Sequence, residues 1–300
     1  MNSAKTRRIP FKVDIAGVIE ILGTSLYSQP ETAVRELIQN AHDAIMRRRR
    51  SDLGYQGRID IEQDAEAGLL RFSDDGVGLS GEEAETYLST VGIGITGFLK
   101  GRSVPAPGGT APGDGQDLIG QFGIGLLSAF MLATRLVVES RKIGSDEAVR
   151  WVAGADTDIE LSVCEKAASG TTVTLQLKPE FLELASDPEA VEEIVKAYAD
   201  FLPVPIYLNG SKNRLNVVNA TWFDPTPDRE AVELELEGYF QETPLDVIPV
   251  RRESPARVAG ALYVTPRRTP GFAGDAVVTA TLRRMVISRQ VQGLLPQWAS

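Results

Sequence analysis

Residues 31–50, ETAVRELIQNAHDAIMRRRR, are the stretch from which the fold of this protein can be inferred. At about 100° per residue around a helix, Glu36, Asn40, Asp43 and Arg47 fall within about 40° of one line, and the apolar residues fill a broad arc about 120° away. The pattern predicts a helix that buries one face and carries a narrow polar stripe. A solvated face with an ion pair between Asp43 and Arg47 would also explain the stripe.

A second motif, Asp74-Asp75-Gly76-Val77-Gly78, comes directly after a predicted hairpin. Residues 58–63 alternate apolar and polar side chains as a strand does, and residues 69–73 form the partner strand. An ordinary Asp/Gly turn is one interpretation of the motif. The other is a ligand site, in which the glycines let the backbone approach the ligand and Asp74 supplies a hydrogen-bond acceptor.

The third feature is a glycine-rich turn, residues 120–125, that opens an apolar helix. The backbone N–H groups of such a turn can hold an anion. It is not a Walker A motif, because no Gly-Lys-Ser/Thr follows, and its spacing does not match a Rossmann fingerprint. The preceding residues 91–117 are rich in glycine and proline, which predicts a mobile lid or a disordered insert.

The rest of the chain alternates between helix-like and strand-like segments, which predicts an α/β protein, and its composition changes after residue 210. Helices are predicted at about 15–23, 81–90, 187–201 and 228–240, and strands at about 11–13, 134–140, 147–153, 158–164, from 170 onward, 204–208, 258–265 and 276–288.

The composition argues against several classes of function. A net charge of −10 disfavours nucleic-acid binding, because phosphate contacts need concentrated Lys and Arg; the basic run Arg47 to Arg50 is predicted to be a solvated helix end. The single cysteine and single histidine make an internal disulfide impossible and a zinc site unexpected, and Cys164 is predicted to be a small buried residue. No membrane partner is expected, and the lack of a secretory signal predicts a cytoplasmic location.

The motifs occur in a fixed order: E-x-x-x-N-x-x-D on a helix, D-x-G-x-G after a strand, a glycine-rich turn that opens a helix, and Gly-Thr at a strand start. This ordered set resembles the GHKL ATPase superfamily. Within it, SLYSQPETAVRELIQNAHDA (25–44), DDGVGLS (74–80) and LIGQFGIGLLSAFMLA (118–133) are similar to the heat-shock protein 90 chaperones, including the HtpG type. The resemblance covers about residues 11–210 and continues more faintly to the end.

The resemblance implies an α/β sandwich of the Bergerat type, with one mixed, largely antiparallel sheet and helices on one face. Residues 1–210 would be the ATP-binding ATPase domain, with an ATP lid at about 91–118, and residues 211–300 the truncated start of an α/β middle domain. The implied function is an Mg²⁺-dependent, ATP-hydrolysing chaperone that assists the folding of client proteins. A homodimer is expected for the full-length protein, and a slow, monomeric ATPase for these 300 residues.

The resemblance also assigns roles to residues. Glu36 would be the general base that orients the attacking water, and Asn40 would ligate Mg²⁺ through its side-chain oxygen. Asp74 would accept a hydrogen bond from the adenine amino group, with Gly78 and Thr171 completing that contact, although Thr171 also fits an ordinary strand threonine. The implied nucleotide-binding residues are Asn40, Asp43, Asp74, Gly78, Leu79, Leu88, Gly120, Gln121, Phe122, Gly123, Ile124, Gly125, Leu126 and Thr171.

Three positions depart from the family pattern. Tyr87 and Ile93 stand where the family usually has Asn and Lys, and Leu126 replaces a Phe. These changes predict weaker sugar and phosphate contacts. Two rival functions remain. A DNA-handling GHKL ATPase is disfavoured by the acidic composition and by the sequence GQFGIGLLSAF. A nucleotide-gated binding module with little hydrolysis would have the same pocket, so only a turnover assay distinguishes it from an ATP-hydrolysing chaperone.

Overall fold

The computed structural model describes residues 31–89, 125–154, 159–216, 220–254, 258–264, 278–282, 284–289 and 291. The chain divides into two compact units, residues 1–188 and 189–300. The predicted elements within residues 11–23, the predicted lid and the turn residues 120–124 lie outside the described residues. The boundary at residue 210 between an ATPase domain and a middle domain stays a prediction.

The first unit contains the helix inferred from the opening stretch and six strands. Its helices are α1 (Glu31–Ser51), α2 (Gly81–Leu88), α3 (Gly125–Ser128) and α4 (Glu183–Ser186), and its strands are β1 (Ile59–Asp64), β2 (Leu69–Asp74), β3 (Ala133–Arg141), β4 (Ala148–Gly154), β5 (Ile159–Cys164) and β6 (Gly170–Leu177).

These six strands are hydrogen-bonded side by side in the order β5-β4-β3-β6-β2-β1. The pairings described between β5 and β1 are all antiparallel. Helix α1 lies against β1, β2 and β6, and its predicted apolar arc is buried as expected, along with Ile59, Ile61, Leu70 and Phe72 of the hairpin. The α/β sandwich inferred from the motifs is therefore confirmed.

The second unit has its own apolar core. It contains helices α5 (Pro188–Ala199) and α6 (Arg229–Phe240) and strands β7 (Ile206–Leu208), β8 (Asp246–Arg252), β9 (Val258–Val264), β10 (Ala280–Leu282) and β11 (Met285–Ser288). Phe201 packs edge-on against Trp222, with their ring centroids 5.6 Å apart. The core residues are Phe201, Ala220, Trp222, Val232, Leu236, Val247 and Val286.

Two sequence predictions about these elements are wrong, and one strand was missed. The strand predicted at 276–288 is a hairpin, because Arg284 adopts a left-handed conformation (φ 71°) and turns the chain so that Leu282 pairs with Met285. The missed strand, β8, contains Pro249, and a proline is tolerated there because β8 belongs to a two-stranded sheet. Cys164 is partly exposed rather than buried, because β5 is an edge strand.

Among the described residues, no helix combines the length and the apolar character needed to cross a membrane.

Candidate functional site

The polar stripe of α1 faces the glycine that begins α3. A Cβ atom added to Gly125 would lie 2.9 Å from Glu36 Oε2 and 3.6 Å from Asn40 Nδ2. Glu36 is mostly buried and forms an ion pair with Arg35 at 2.8 Å, whereas Asn40 is exposed. The structure therefore brings together the predicted base, the predicted metal ligand and the last glycine of the glycine-rich turn, and the absence of a side chain at Gly125 leaves room for the carboxylate.

Asp43, the third member of the stripe, is buried beside a histidine. Its Oδ1 lies 3.1 Å from His42 Nδ1, and both side chains are almost completely shielded from solvent. In the part of the chain that the structure describes, no group of three acidic, histidine or cysteine side chains could hold a metal ion. Asp43 is therefore the buried member of the stripe, and its supporting role in a nucleotide site stays a prediction.

Asp74 ends β2 and turns its carboxylate back onto the following loop. Its Oδ1 accepts a hydrogen bond of 2.9 Å from the Gly76 N–H. The residue keeps some solvent-accessible surface, but protein atoms surround its carboxyl group. This burial raises the pKa of Asp74 to about 7, although the Gly76 N–H and the nearby Arg47 guanidinium act in the opposite direction. The carboxyl group thus changes charge near neutral pH.

The glycines of the D-x-G-x-G motif are explained by contacts with the protein backbone. A Cβ on Gly76 would lie 2.5 Å from the carbonyl carbon of Ala44 in α1. Gly78 has a φ of 65°, and a Cβ there would lie 2.0 Å from the Arg141 carbonyl oxygen. The loop is further fixed by a hydrogen bond from Val77 N–H to the Ala44 carbonyl. These contacts hold Asp74 at the end of its strand, between α1 and β3.

Thr171 lies directly across from Asp74, because the two are register partners on β6 and β2. On its other side Thr171 is the register partner of Ser140 on β3, and their hydroxyl oxygens are 2.9 Å apart. Ser140 was not predicted as a site residue. A signal was present in the sequence, since Ser140 continues the buried alternation of Leu136 and Val138 and is a polar side chain at a core position.

Arg47 was placed on the polar stripe by the sequence analysis but was assigned to a solvated helix end. Burial lowers the pKa of its guanidinium, while Asp43 and Asp74 raise it, so this cation is packed next to the carboxylates of the site. Arg48 donates a hydrogen bond of 2.6 Å to the Asp75 carbonyl. The prediction of a solvated helix end is therefore wrong for these two residues, and in this run only Arg50 is exposed.

The remaining predicted nucleotide-contact residues differ in how far they are buried. Leu79 is buried after the motif, Leu88 is half-buried at the end of α2, and Leu126 is half-buried on α3. Burial raises the pKa of Tyr87, and Arg47 lowers it, so this departure from the family pattern lies in the electrostatic neighbourhood of the site. Gly120, Gln121, Phe122, Gly123 and Ile124 lie outside the described residues.

Comparison with known proteins points to one family. Residues 27–171 match the family model described as "Histidine kinase-, DNA gyrase B-, and HSP90-like ATPase". The chain is 30% identical over 304 residues to the mitochondrial heat shock protein 75 kDa of Bos taurus, covering 96% of this chain and 42% of that protein. It is 31% identical over 315 residues to the chaperone protein HtpG of Methylobacterium nodulans, covering 99% of this chain and 50% of that protein. The chain therefore spans about half the length of the curated relatives it matches.

Proposed function

Because this chain belongs to the heat-shock protein 90 family, within the histidine kinase-, DNA gyrase B- and HSP90-like ATPases, we propose that it binds ATP with Mg²⁺ and hydrolyses it to ADP and phosphate. The observation that supports this most strongly is the pairing of two half-sites around α1. One half-site holds Glu36 and Asn40 against Gly125, and the other holds Asp74 opposite Thr171.

Asp74 and Thr171 bind the adenine base. The ionised carboxylate of Asp74 offers an acceptor to the adenine amino group, whereas guanine carries an acceptor at the equivalent position and is repelled. The hydrogen bond from the Gly76 N–H occupies one lone pair of Asp74 Oδ1 and fixes the direction of the carboxylate. The half-buried Arg47 supplies a compensating positive charge near this carboxylate.

Glu36 acts on the water that attacks the γ-phosphate. Its Oε2 faces the backbone of Gly125, and its Oε1 accepts a hydrogen bond from Arg35. The base accepts a proton from the water as the new phosphorus–oxygen bond forms and the bond to ADP breaks. Arg35 limits the orientations that the carboxylate can adopt and keeps one of its oxygens on the ligand side.

Asn40 is suited to contact Mg²⁺ because it is exposed and offers a neutral oxygen. Mg²⁺ commonly binds through one or two protein oxygens, with phosphates and water completing its shell, so a cluster of acidic residues is not required. When bound, the ion neutralises charge on the phosphates. A neutral amide at Asn40 avoids the repulsion that another carboxylate would exert on the triphosphate.

The full-length protein, in this proposal, is a chaperone that assists the folding of client proteins, works as a homodimer and resides in the cytoplasm. The support is that relatives bear the name chaperone protein HtpG, while the mitochondrial relative shows that related proteins also work elsewhere. Client handling and dimerisation are proposals for the longer protein, because this chain spans only about half of those relatives.

A separation of binding from hydrolysis tests the proposal. Glu36→Gln is expected to bind Mg-ATP as the wild type does and to lose turnover, because a base acts on water in the transition state rather than on bound nucleotide. Binding is measured by titration calorimetry and turnover by phosphate release. The matched control is Glu31→Gln, which changes a glutamate in the first turn of the same helix and should leave both quantities unchanged.

Three outcomes contradict parts of the proposal. Wild-type turnover retained in Glu36→Gln removes that residue from the base role. ATP binding without any turnover in the wild type, including the full-length protein, supports a nucleotide-gated binding module. Turnover stimulated by double-stranded DNA supports a DNA-handling ATPase.

A further inference from the structure

We propose that Ser140 is a positioning residue that orients the Thr171 hydroxyl and thereby sets the preference for adenine over guanine. This inference rests on the proposed ATP-binding function and extends it to a residue that lies behind the site. Ser140 is completely buried on β3. Burying a hydroxyl group without hydrogen-bond partners costs free energy, so the partners of the Ser140 hydroxyl indicate the role of this residue.

Ser140 contacts three polar groups. The Leu79 N–H donates to its hydroxyl oxygen at 2.8 Å, the Thr171 hydroxyl lies at 2.9 Å, and the Gly170 carbonyl oxygen lies at 3.2 Å. These partners belong to the loop after the D-x-G-x-G motif and to the start of β6. One buried side chain therefore joins the two segments that carry the proposed adenine contacts.

The protons can be assigned by counting. A serine hydroxyl has one proton to donate and two lone pairs to accept. The Gly170 carbonyl can only accept, so Ser140 donates to it and accepts from both the Leu79 N–H and the Thr171 hydroxyl. This is the arrangement that satisfies all three contacts, because a proton given to Thr171 would leave the Gly170 carbonyl without this bond.

The consequence falls on Thr171. Since its single proton points to Ser140, its hydroxyl oxygen presents only lone pairs to a ligand. Asp74, Thr171 and Ser140 occupy opposite positions on three neighbouring antiparallel strands and so share one face of the sheet. Ionised Asp74 and Thr171 together form a pair of acceptors, which favours the adenine amino group together with a bridging water that donates to Thr171, and disfavours the guanine carbonyl at the position of that amino group.

Without the Ser140 hydroxyl, the Thr171 proton is released to rotate. Thr171 can then donate to a guanine carbonyl, and the buried Leu79 N–H loses its acceptor. We therefore expect Ser140→Ala to weaken ATP binding more than GTP binding. The dissociation constant of GTP divided by that of ATP should fall on the order of tenfold, as the loss of one buried hydrogen bond allows.

The chain contains a matched control on the opposite face of the same sheet. Ser73 and Thr172 are also register partners, with hydroxyl oxygens 3.0 Å apart. Ser73→Ala removes the same kind of serine–threonine hydrogen bond one residue away from Asp74 and Thr171. It should lower stability modestly and leave the ATP-to-GTP ratio unchanged.

The experiment measures the dissociation constants of Mg-ATP and Mg-GTP by calorimetry for the wild type, Ser140→Ala, Ser73→Ala, Thr171→Val and the double variant Ser140→Ala/Thr171→Val. If Ser140 acts through Thr171, Ser140→Ala changes the ratio in the wild-type background and has no further effect in Thr171→Val. A purely structural role predicts equal weakening of both nucleotides. Ser140→Cys, which keeps a side chain of similar size with a weaker donor and acceptor, replaces Ser140→Ala if the latter does not fold.

The outcomes separate this inference from the proposed function. A wild type that binds neither nucleotide overturns both. A wild type that prefers ATP, together with an unchanged ratio in Ser140→Ala or Ser140→Cys, overturns only the role of Ser140. An equal change in Ser73→Ala also overturns it, because the effect would then come from general loosening of the sheet.

Discussion

Replacement of Asp74 by asparagine is expected to stabilise the nucleotide-free protein while impairing ligand binding. Burial raises the pKa of Asp74 from 3.8 to about 7 in the folded state. The folded state therefore holds the proton more tightly than the unfolded chain, so this contribution to stability is complete below about pH 4 and is lost as the pH rises towards 7. At 1.36 kcal/mol per pKa unit, the loss amounts to about 4 kcal/mol of unfolding free energy.

Asp74→Asn removes this loss because the amide carries no charge, while its oxygen can still accept from the Gly76 N–H. The unfolding free energy of the variant minus that of the wild type should therefore rise by about 4 kcal/mol between pH 4 and pH 8. The amide also places donors where the adenine amino group needs an acceptor. ATP affinity at pH 8 should accordingly fall at least tenfold.

Urea unfolding of both nucleotide-free proteins at pH 4, 5, 6, 7 and 8 measures the difference, in which the other titrating groups cancel. Asp60→Asn, on β1 in a partly exposed ion pair with Arg58, is the control for the general effect of replacing an aspartate with asparagine. A flat curve for Asp74→Asn would refute the buried-carboxylate argument. Unchanged ATP affinity in calorimetry would remove Asp74 from the proposed site.

Three further predictions concern other parts of the chain. Gly125→Ala should keep the fold but reduce ATP turnover on the order of 10²-fold, because the new Cβ at 2.9 Å displaces the Glu36 carboxylate; unchanged phosphate release would contradict it. Glu235→Ala should lower the unfolding free energy by about 3 kcal/mol in urea titrations, because its carboxylate accepts from the Ala220 N–H and from both the N–H and the hydroxyl of Thr221; a loss below about 1 kcal/mol would contradict it. The 300-residue chain should sediment as a monomer and turn over ATP more slowly than a version extended to the full length of its relatives, and equal turnover would show that the added segments do not contribute.

The sequence by itself determined the features that depend on neighbouring residues. Periodicity identified α1 and its two faces, because the 3.6-residue repeat places buried and polar side chains in separate arcs. The alternation of apolar and polar residues identified the β1–β2 hairpin, since successive side chains of a strand point to opposite faces and one face of each strand is buried. Helix α2 is equally local, with Ser80 and Glu83 forming a reciprocal cap at its start. The order of the motifs then identified the family.

The tertiary structure decided which residues from distant segments meet. Arg47 looked like part of a solvated basic run, and its partial burial near Asp43 and Asp74 depends on how the loop after β2 packs against α1. Cys164 looked buried by alternation, but its exposure depends on β5 being the last strand of the sheet.

Ser140 shows the same limit within the site. Its sequence neighbours indicate only a polar residue at a buried strand position. Its partners, Leu79, Gly170 and Thr171, lie about 30 to 60 residues away along the chain; the pairing of β3 with β6 brings Gly170 and Thr171 to it, and the loop after β2 brings Leu79. Local patterns set the faces of helices and strands, whereas strand order and register set which buried hydrogen bonds exist, because those bonds form only after distant segments are packed together.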